Sequence, residues 1–292
     1  MLKTLENNLL KITASTFGGE LHSIKGKKTN TEFLWDGNET YWKYHAPILF
    51  PIVGKVYDNK YIINNKTFEL PQHGLARTSE FNLFEQTENS LTFELKHSKV
   101  TLEKYPFKFS LQIKYTLEDS SVKIEYIVNN LDNTDIYFSI GAHPAFKCPI
   151  LENENFQDYY FEFSEKETAS TMELTSDGYF SGKKIPLLKE ENIIGLTTEL
   201  FKNDALVFNS LKSHTITLKS KNHSKNVTFD FNEFPYLGLW SKPSGAPFVC
   251  IEPWFGHADY DDFRGEFKNK EGIISLEINK SFKCTYTITV NE

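Results

Sequence analysis

The sequence predicts an all-β protein built from large, packed antiparallel sheets, either as a sandwich or as a barrel. Three observations favour this class. Apolar and polar residues alternate with a period of two in many short runs, turn-forming residues cluster between these runs, and no long segment has the 3.6-residue period of an amphipathic helix. The 25 Phe and 14 Tyr residues also suit strands, because aromatic side chains pack well on a pleated surface.

Taken in chain order, the alternating runs each place their apolar residues on one face of a strand. They comprise residues 91–95 (LTFEL), 109–115 (FSLQIKY), 122–128 (VKIEYIV), 215–218 (TITL), 227–231 (VTFDF), 274–278 (ISLEI) and 284–290 (CTYTITV). The most helix-like segment is the short stretch 196–203, and the weakly patterned residues 151–200 predict an irregular excursion over the surface. No composition shift marks a boundary, so residues 1–292 are expected to form a single large β domain.

Charge and composition exclude several classes of function. Lys and Arg number 32 against 39 Asp and Glu, a net charge of −7, so the chain lacks the basic excess that binds nucleic acid. The longest apolar stretch, 46–54, is about half the length of a membrane span. The start of the chain lacks a secretory pattern, and Cys148, Cys250 and Cys284 form no paired motif, so we expect buried thiols in a cytoplasmic protein.

The residues with catalytic potential lie in three loop-flanked motifs. His73 belongs to 71–77 (PQHGLAR), His143 to 141–146 (GAHPAF), and Glu252 to 249–256 (VCIEPWFG). Two His and one Glu are able to perform acid–base chemistry near neutral pH. A lone His beside Gly or Pro is more often a turn or hydrogen-bonding residue than a catalyst, and these residues alone leave that alternative open.

Other chemistries have weaker support in the sequence. A metal site of the cupin type uses two His separated by one residue, and that spacing is absent, which disfavours a metal although His257 follows Glu252 closely. Nucleotide-binding glycine motifs and the serine-hydrolase motif GxSxG are also absent. A glycosidase needs two carboxylates, for which only Glu252 and the weaker candidate Asp204, in 203–206 (NDAL), are available.

At these residues the sequence resembles the aldose 1-epimerase (galactose mutarotase-like) family, most closely its LacX-like branch. The resemblance spans nearly the whole chain and rests on ordered motifs: 17–24 (FGGELHSI), 32–37 (EFLWDG), 46–54 (APILFPIVG), the two His motifs and 251–254 (IEPW). It implies a large antiparallel β-sandwich of the supersandwich type. It also implies interconversion of the α and β anomers of a free sugar without a metal or cofactor.

The resemblance also implies roles for individual residues. His143 resembles the general acid that protonates the sugar ring oxygen, and Glu252 resembles the general base that accepts the proton of the C1 hydroxyl. His73 and Asp204 resemble substrate-binding residues of the family. Lys55 stands where many relatives have Arg, and it provides a point charge instead of a bidentate fork.

Three further questions stay open at the level of the sequence. Arg77 is a second cation near the motifs, and a related branch that acts on hexose 6-phosphates uses extra basic residues. Trp240 is a candidate aromatic face for the sugar, whereas Trp35 and Phe50 are expected in the core. The alternative functions are a hexose-6-phosphate 1-epimerase and a non-catalytic sugar-binding or sugar-sensing protein. A dimer formed through sheet edges is a generic possibility.

Overall fold

The computed structural model describes residues 1–292 and is built almost entirely of strands. The first third of the chain contains β1 (Leu2–Glu6), β2 (Leu10–Ser15), β3 (Leu21–Gly26), β4 (Ile48–Leu49), β5 (Lys60–Ile63), β6 (Lys66–Glu69), β7 (Asn82–Gln86), β8 (Ser90–Lys96) and α1 (Lys99–Lys104). The middle contains β9 (Phe109–Glu118), β10 (Ser121–Asn130), β11 (Ile136–Phe138), β12 (Ile140–Ala142), β13 (Ala145–Lys147), β14 (Tyr159–Leu174) and β15 (Phe180–Gly195). The last third contains β16 (Leu206–Phe208), β17 (Thr215–Ser220), β18 (Asn226–Asp230), β19 (Tyr236–Trp240), β20 (Phe248–Phe255), β21 (Ile274–Leu276) and β22 (Ser281–Asn291).

Fifteen of the strands form one continuous antiparallel network. Thirteen of them follow the order β4-β12-β20-β19-β16-β14-β17-β18-β22-β10-β9-β8-β7, and the other two attach to this path, since β13 pairs with β20 and β15 pairs with β14. The smaller sheets are β1-β2-β3, β5-β6 and β11-β21. The architecture is a large antiparallel β-sandwich, and the predicted fold class is confirmed.

The core is formed by the inward faces of the predicted strands. Every other residue of β10 from Val122 to Asn130 is buried. Each predicted run corresponds to a strand, although β18 ends at Asp230 and β21 at Leu276, before their runs end. Aromatic residues join neighbouring strands: Tyr286 stacks on Phe229 at 5.1 Å and meets Tyr126 edge-on at 5.7 Å. The hydroxyl of Tyr115 donates to the Gly19 carbonyl at 2.6 Å, which ties the turn between β2 and β3 to the large sheet.

Two expectations about local structure were wrong. Residues 151–200 are not an irregular excursion, because they contain β14 and β15, each of 16 residues. The helix-like stretch 196–203 forms only a 3-10 turn at Thr198–Phe201, whereas the single α-helix is α1. That helix begins at a capping box, in which the Ser98 and Thr101 side chains each bond the other residue's backbone N–H.

Two expectations about buried side chains were met. Cys148, Cys250 and Cys284 are free and buried, as predicted. Trp35 and Phe50 are buried in the interior, also as predicted. None of the helices has the length and apolar character needed to cross a membrane.

Candidate active site

An open cleft of about 1160 Å³ is lined by residues of strands β19 and β20, of the β14–β15 hairpin and of neighbouring loops. Most of the predicted site residues line it: His73, Arg77, His143, Asp204, Trp240 and Glu252. Its remaining lining mixes aliphatic, aromatic and polar groups, including Trp42, Gln72, Met172, Glu173, Leu174, Phe180, Ile185, Leu187, Glu199, Lys202, Asn203 and Trp254. The sequence motifs therefore converge on one surface depression.

Strand β20 positions the carboxylate. It runs between β19 on one side and β12 with β13 on the other, and nearly all of it is buried. Because side chains alternate along a strand, Cys250, Glu252 and Trp254 share one face. Glu252 is therefore held on a fixed backbone at the floor of the cleft.

His143 lies opposite Glu252 because of the sheet register. Gly141 pairs with Trp254, and Ala145 pairs with Cys250. Between these two pairs, His143 faces Glu252 across the sheet, where opposite side chains are close. Nε2 of His143 is 3.2 Å from Oε2 of Glu252, and the two side chains are only 10% and 2% exposed.

Burial shifts the pKa values of this pair in opposite directions. Burial, and then the charge of Arg77, lowers the pKa of His143 to about 3. Burial, and then the charge of Asp204, raises the pKa of Glu252 well above its ordinary value, while the nearby Trp254 indole lowers it in part. Burial therefore favours the neutral form of both groups, a carboxylic acid at Glu252 and a neutral imidazole at His143.

His73 is held as a neutral hydrogen-bond donor beside this pair. Its backbone has a φ of +66°, its N–H donates to the Gly54 carbonyl at 2.7 Å, and its Nδ1 accepts the Gly54 N–H at 3.1 Å. Nε2 of the neutral ring consequently carries the proton. Burial lowers the pKa of His73 well below its usual range, with further contributions from His143, Arg77 and Lys55, and its ring meets that of His143 at 5.6 Å.

Of the two predicted cations, Arg77 lines the cleft and Lys55 does not. Arg77 lines the cleft, where its Nη2 donates to the Gln72 carbonyl at 2.7 Å and its guanidinium lies over the Tyr44 ring at 5.0 Å. Lys55 is not among the lining residues. Its Nζ donates to the Asp177 carbonyl at 2.7 Å, and its contribution to the site is a positive charge felt at His73.

Aromatic rings form the walls around His143. Trp240, a predicted site residue, meets His143 at 5.7 Å, and Trp42, which the sequence analysis did not single out, packs on it at 4.8 Å. Trp42 stands in 41–44 (YWKY), just before the 46–54 motif, and this aromatic cluster is the sequence signal that could have identified it. Asp204 lies exposed at the rim, with a φ of +78°.

Trp254 forms part of the cleft floor because its neighbours are glycines. A Cβ on Gly141 would lie 2.6 Å from Cδ1 of Trp254, and a Cβ on Gly238 would lie 2.8 Å from Cζ2. The indole therefore lies flat across β12 and β19. Its Nε1 is buried without a hydrogen-bond partner, as are Nε of Arg77 and Nδ1 of His143, so unpaired polar atoms cluster at one site.

Two side-chain clusters have ligand atoms close enough to hold a metal ion. The first consists of His143, Cys250 and Glu252, and so includes the buried His143–Glu252 pair. Burial, with Glu252 nearby, raises the pKa of the Cys250 thiol well above its usual range, which opposes the thiolate that a metal requires. The second is Glu20, His22 and His45, but the two imidazole rings are stacked at 3.9 Å, so their in-plane nitrogens do not converge on one ion.

The sandwich and its aromatic-lined cleft define the galactose mutarotase-like class of proteins. The structure is similar to that of a galactose mutarotase related enzyme from Lactobacillus acidophilus, with a TM-score of 0.96 and 33% identity over 100% of this chain and 98% of the other. It is also similar to a galactose mutarotase-like protein from Lactobacillus casei, with a TM-score of 0.93 and 29% identity over 100% of both chains.

Sequence comparison gives the family. A sequence model described as aldose 1-epimerase matches residues 1–275. The plasmid and chromosomal forms of protein LacX from Lactococcus lactis subsp. lactis are 36% identical over 295 residues, covering 98% of this chain and 98% of each relative. The chain belongs to the aldose 1-epimerase family, which confirms the resemblance seen in its motifs.

Proposed function

We propose that the protein catalyses the interconversion of the α and β anomers of a free hexose, with His143 and Glu252 as the acid–base pair. The observation that carries this proposal is the buried contact between their side chains, 3.2 Å long, at the floor of the cleft. Anomerisation needs one proton removed from the C1 hydroxyl and one delivered to the ring oxygen. A single acid–base pair is sufficient for both transfers.

The proton count of the pair fits this chemistry. Burial favours the form in which both groups are neutral, and in that form Glu252 carries a proton that it is able to transfer. Transfer of that proton to Nε2 of His143 gives an imidazolium and a carboxylate without exchange with solvent. In that form His143 donates to the ring oxygen and Glu252 accepts the C1 hydroxyl proton, and the roles reverse when the ring closes.

The surrounding residues support binding of a sugar. The indole faces of Trp42, Trp240 and Trp254 are suited to the C–H faces of a pyranose. Nε2 of His73 is a donor placed next to the reacting pair, and Nε of Arg77 is a buried donor without a partner. We expect these groups to orient the ring oxygen and the hydroxyls, with Asp204 accepting from a hydroxyl at the rim.

Polarimetry or saturation-transfer NMR with freshly dissolved α-galactose and α-glucose tests the proposal. The wild-type protein should accelerate the approach to anomeric equilibrium. His143→Asn and Glu252→Gln should each lower kcat by about 10²- to 10⁴-fold while the fold is retained. Wild-type rates in either variant would refute the assigned roles, and sugar binding without acceleration by the wild type would favour a binding or sensing protein.

The chain offers a matched control in a second buried His–Glu pair. Nε2 of His223 lies 2.9 Å from Oε2 of Glu154, with side chains 16% and 7% exposed, and neither residue lines the cleft. His223→Asn and Glu154→Gln therefore remove comparable groups at a remote position. We expect both control variants to keep wild-type turnover even if they lose stability.

A further inference from the structure

The motif 17–24 contains a buried carboxylate, Glu20, which has no part in the acid–base chemistry proposed for His143 and Glu252. Glu20 directly precedes β3 and is 5% exposed. Its Oε1 accepts the backbone N–H groups of His45 and Ala46 at 2.7 and 2.8 Å. A buried carboxylate is costly unless it is hydrogen-bonded, so these bonds fix the backbone at His45 firmly against Glu20.

The segment held in this way, residues 36–46, carries two aromatic residues into the site. It contains no helix or strand, so hydrogen bonds at its ends set its position. Trp42 packs on the imidazole of His143 at 4.8 Å. Tyr44 lies beneath the guanidinium of Arg77 at 5.0 Å.

Further contacts around Glu20 also hold His45 in place. Its Oε2 is 3.5 Å from Nε2 of His22, whose ring stacks on that of His45 at 3.9 Å. Gly37, with a φ of +70°, lets the chain close over His45, because a Cβ there would lie 2.6 Å from Cε1 of the ring. The carbonyl of His45 then accepts the N–H of Ala145, two residues after His143, at 2.8 Å. A short chain of contacts thus connects Glu20 to the catalytic histidine.

We propose that Glu20 is a positioning residue, which clamps the 36–46 segment so that Trp42 lies against His143 and Tyr44 lies against Arg77. This inference rests on the proposed function, because the segment matters only if His143 and Arg77 act on a sugar. Glu20 itself is not among the residues that line the cleft.

The test compares three variants. Glu20→Ala removes both hydrogen bonds and should lower kcat/KM for anomerisation by about 10- to 100-fold, since small displacements of positioning groups have effects of that size. Glu20→Gln keeps an oxygen that is able to accept both N–H groups, and it should recover most of this loss. A Glu20→Ala variant with wild-type kcat/KM would overturn the inference, and so would failure of Glu20→Gln to recover activity.

Glu167→Ala is the matched control. Glu167 is 1% exposed, and its carboxylate accepts the N–H groups of two consecutive residues, Lys212 and Ser213, none of which lines the cleft. This variant should lose stability, as Glu20→Ala does, yet keep kcat/KM within about twofold of wild type. An equal loss of kcat/KM in both variants would show a general structural effect and would overturn the inference.

A second readout separates this inference from the proposed function. The NMR signals of the His143 imidazole sense the ring current of Trp42, so Glu20→Ala should shift them, whereas Glu167→Ala should not. If the wild type does not anomerise any sugar, the proposed function fails, and the His143 shift still tests the clamp. Unchanged His143 signals in Glu20→Ala would overturn the inference whatever the activity.

Discussion

At the scale of single residues, the buried carboxyl of Glu252 makes the stability of the folded protein depend on pH. Its carboxyl is almost completely buried, and burial raises its pKa well above the ordinary value of 4.5. Above that ordinary value the folded state binds a proton that the unfolded state releases. Stability contributed by this group is therefore present at low pH and is lost as pH rises through the folded pKa.

This linkage predicts a pH-dependent gain in stability when the carboxyl is removed. The free energy of unfolding of Glu252→Gln minus that of wild type should increase by about 1.4 kcal/mol per pH unit above pH 4.5, until the carboxyl ionises in the folded protein. Urea unfolding of both proteins between pH 4.5 and 8 measures this difference. A difference that does not change with pH would contradict the raised pKa.

Glu94→Gln is the control, because the pKa of Glu94 is shifted in the opposite direction from that of Glu252. Burial alone would raise the pKa of Glu94, but hydrogen bonds from Ser110, Gln112 and Lys96 lower it overall. The carboxylate is then ionised in both states above its ordinary pKa, so its contribution is present at neutral pH and is lost only in acid. The difference between Glu94→Gln and wild type should be constant above about pH 6.

The residues of the site were predictable to different degrees. His143, Glu252, His73, Arg77, Asp204 and Trp240 all lie in or beside recognisable motifs, and all line the cleft. Trp42 was missed because its segment has no periodic pattern and reaches His143 only through long-range contacts. The predicted sugar contact of Lys55 stays a prediction, and the bond from its Nζ to the Asp177 carbonyl shows a side chain already engaged elsewhere.

At the scale of elements, strands with one buried face were predictable, and the β14–β15 hairpin was not. The register between β14 and β15 shifts at several points, which breaks the alternation of apolar and polar residues in β14. Strand β15 pairs only with β14, contains Pro186 and is mostly exposed. Such an edge strand needs no continuous apolar face, so its sequence carries no period-two signal.

Strand β19 supports a prediction about the floor of the cleft. Gly238 is paired with Glu252, and a Cβ there would lie 2.8 and 2.9 Å from ring atoms of Trp254. Gly238→Ala should therefore displace the indole, reduce stability by about 1–3 kcal/mol and lower kcat/KM for anomerisation. Urea unfolding and polarimetry measure the two effects.

The control for this change is Gly195→Ala at the end of β15. A Cβ on Gly195 has nothing within 4 Å, so the substitution adds no clash. Stability and turnover should stay at the wild-type level there. If Gly238→Ala also kept wild-type stability and turnover, the prediction would be contradicted, and displacement of Trp254 would have no consequence.

At the scale of the whole molecule, the distribution of charge bears on the choice of sugar. The protein has a net charge of −7, and the cleft is lined by three acidic residues besides the buried Glu252, namely Glu173, Glu199 and Asp204, but by only two cations, Arg77 and Lys202. Arg77 is already held against Tyr44 and the Gln72 carbonyl. An added phosphate would therefore meet more negative than positive groups in this cleft.

We expect neutral hexoses to be better substrates than their 6-phosphates. Repulsion worth about 1.4 kcal/mol would make kcat/KM for glucose about 10-fold higher than for glucose 6-phosphate. Because mobile ions screen exposed charges, raising the salt concentration should bring this ratio of kcat/KM values closer to 1. The double variant Glu173→Gln with Glu199→Gln should lower the ratio already at low salt, because it removes two negative charges from the cleft. Polarimetry on both sugars across a range of salt concentrations measures the ratio. Faster turnover of the phosphorylated sugar at low salt would show that Arg77 and Lys202 dominate the field in the cleft, and it would assign the protein to phosphorylated substrates.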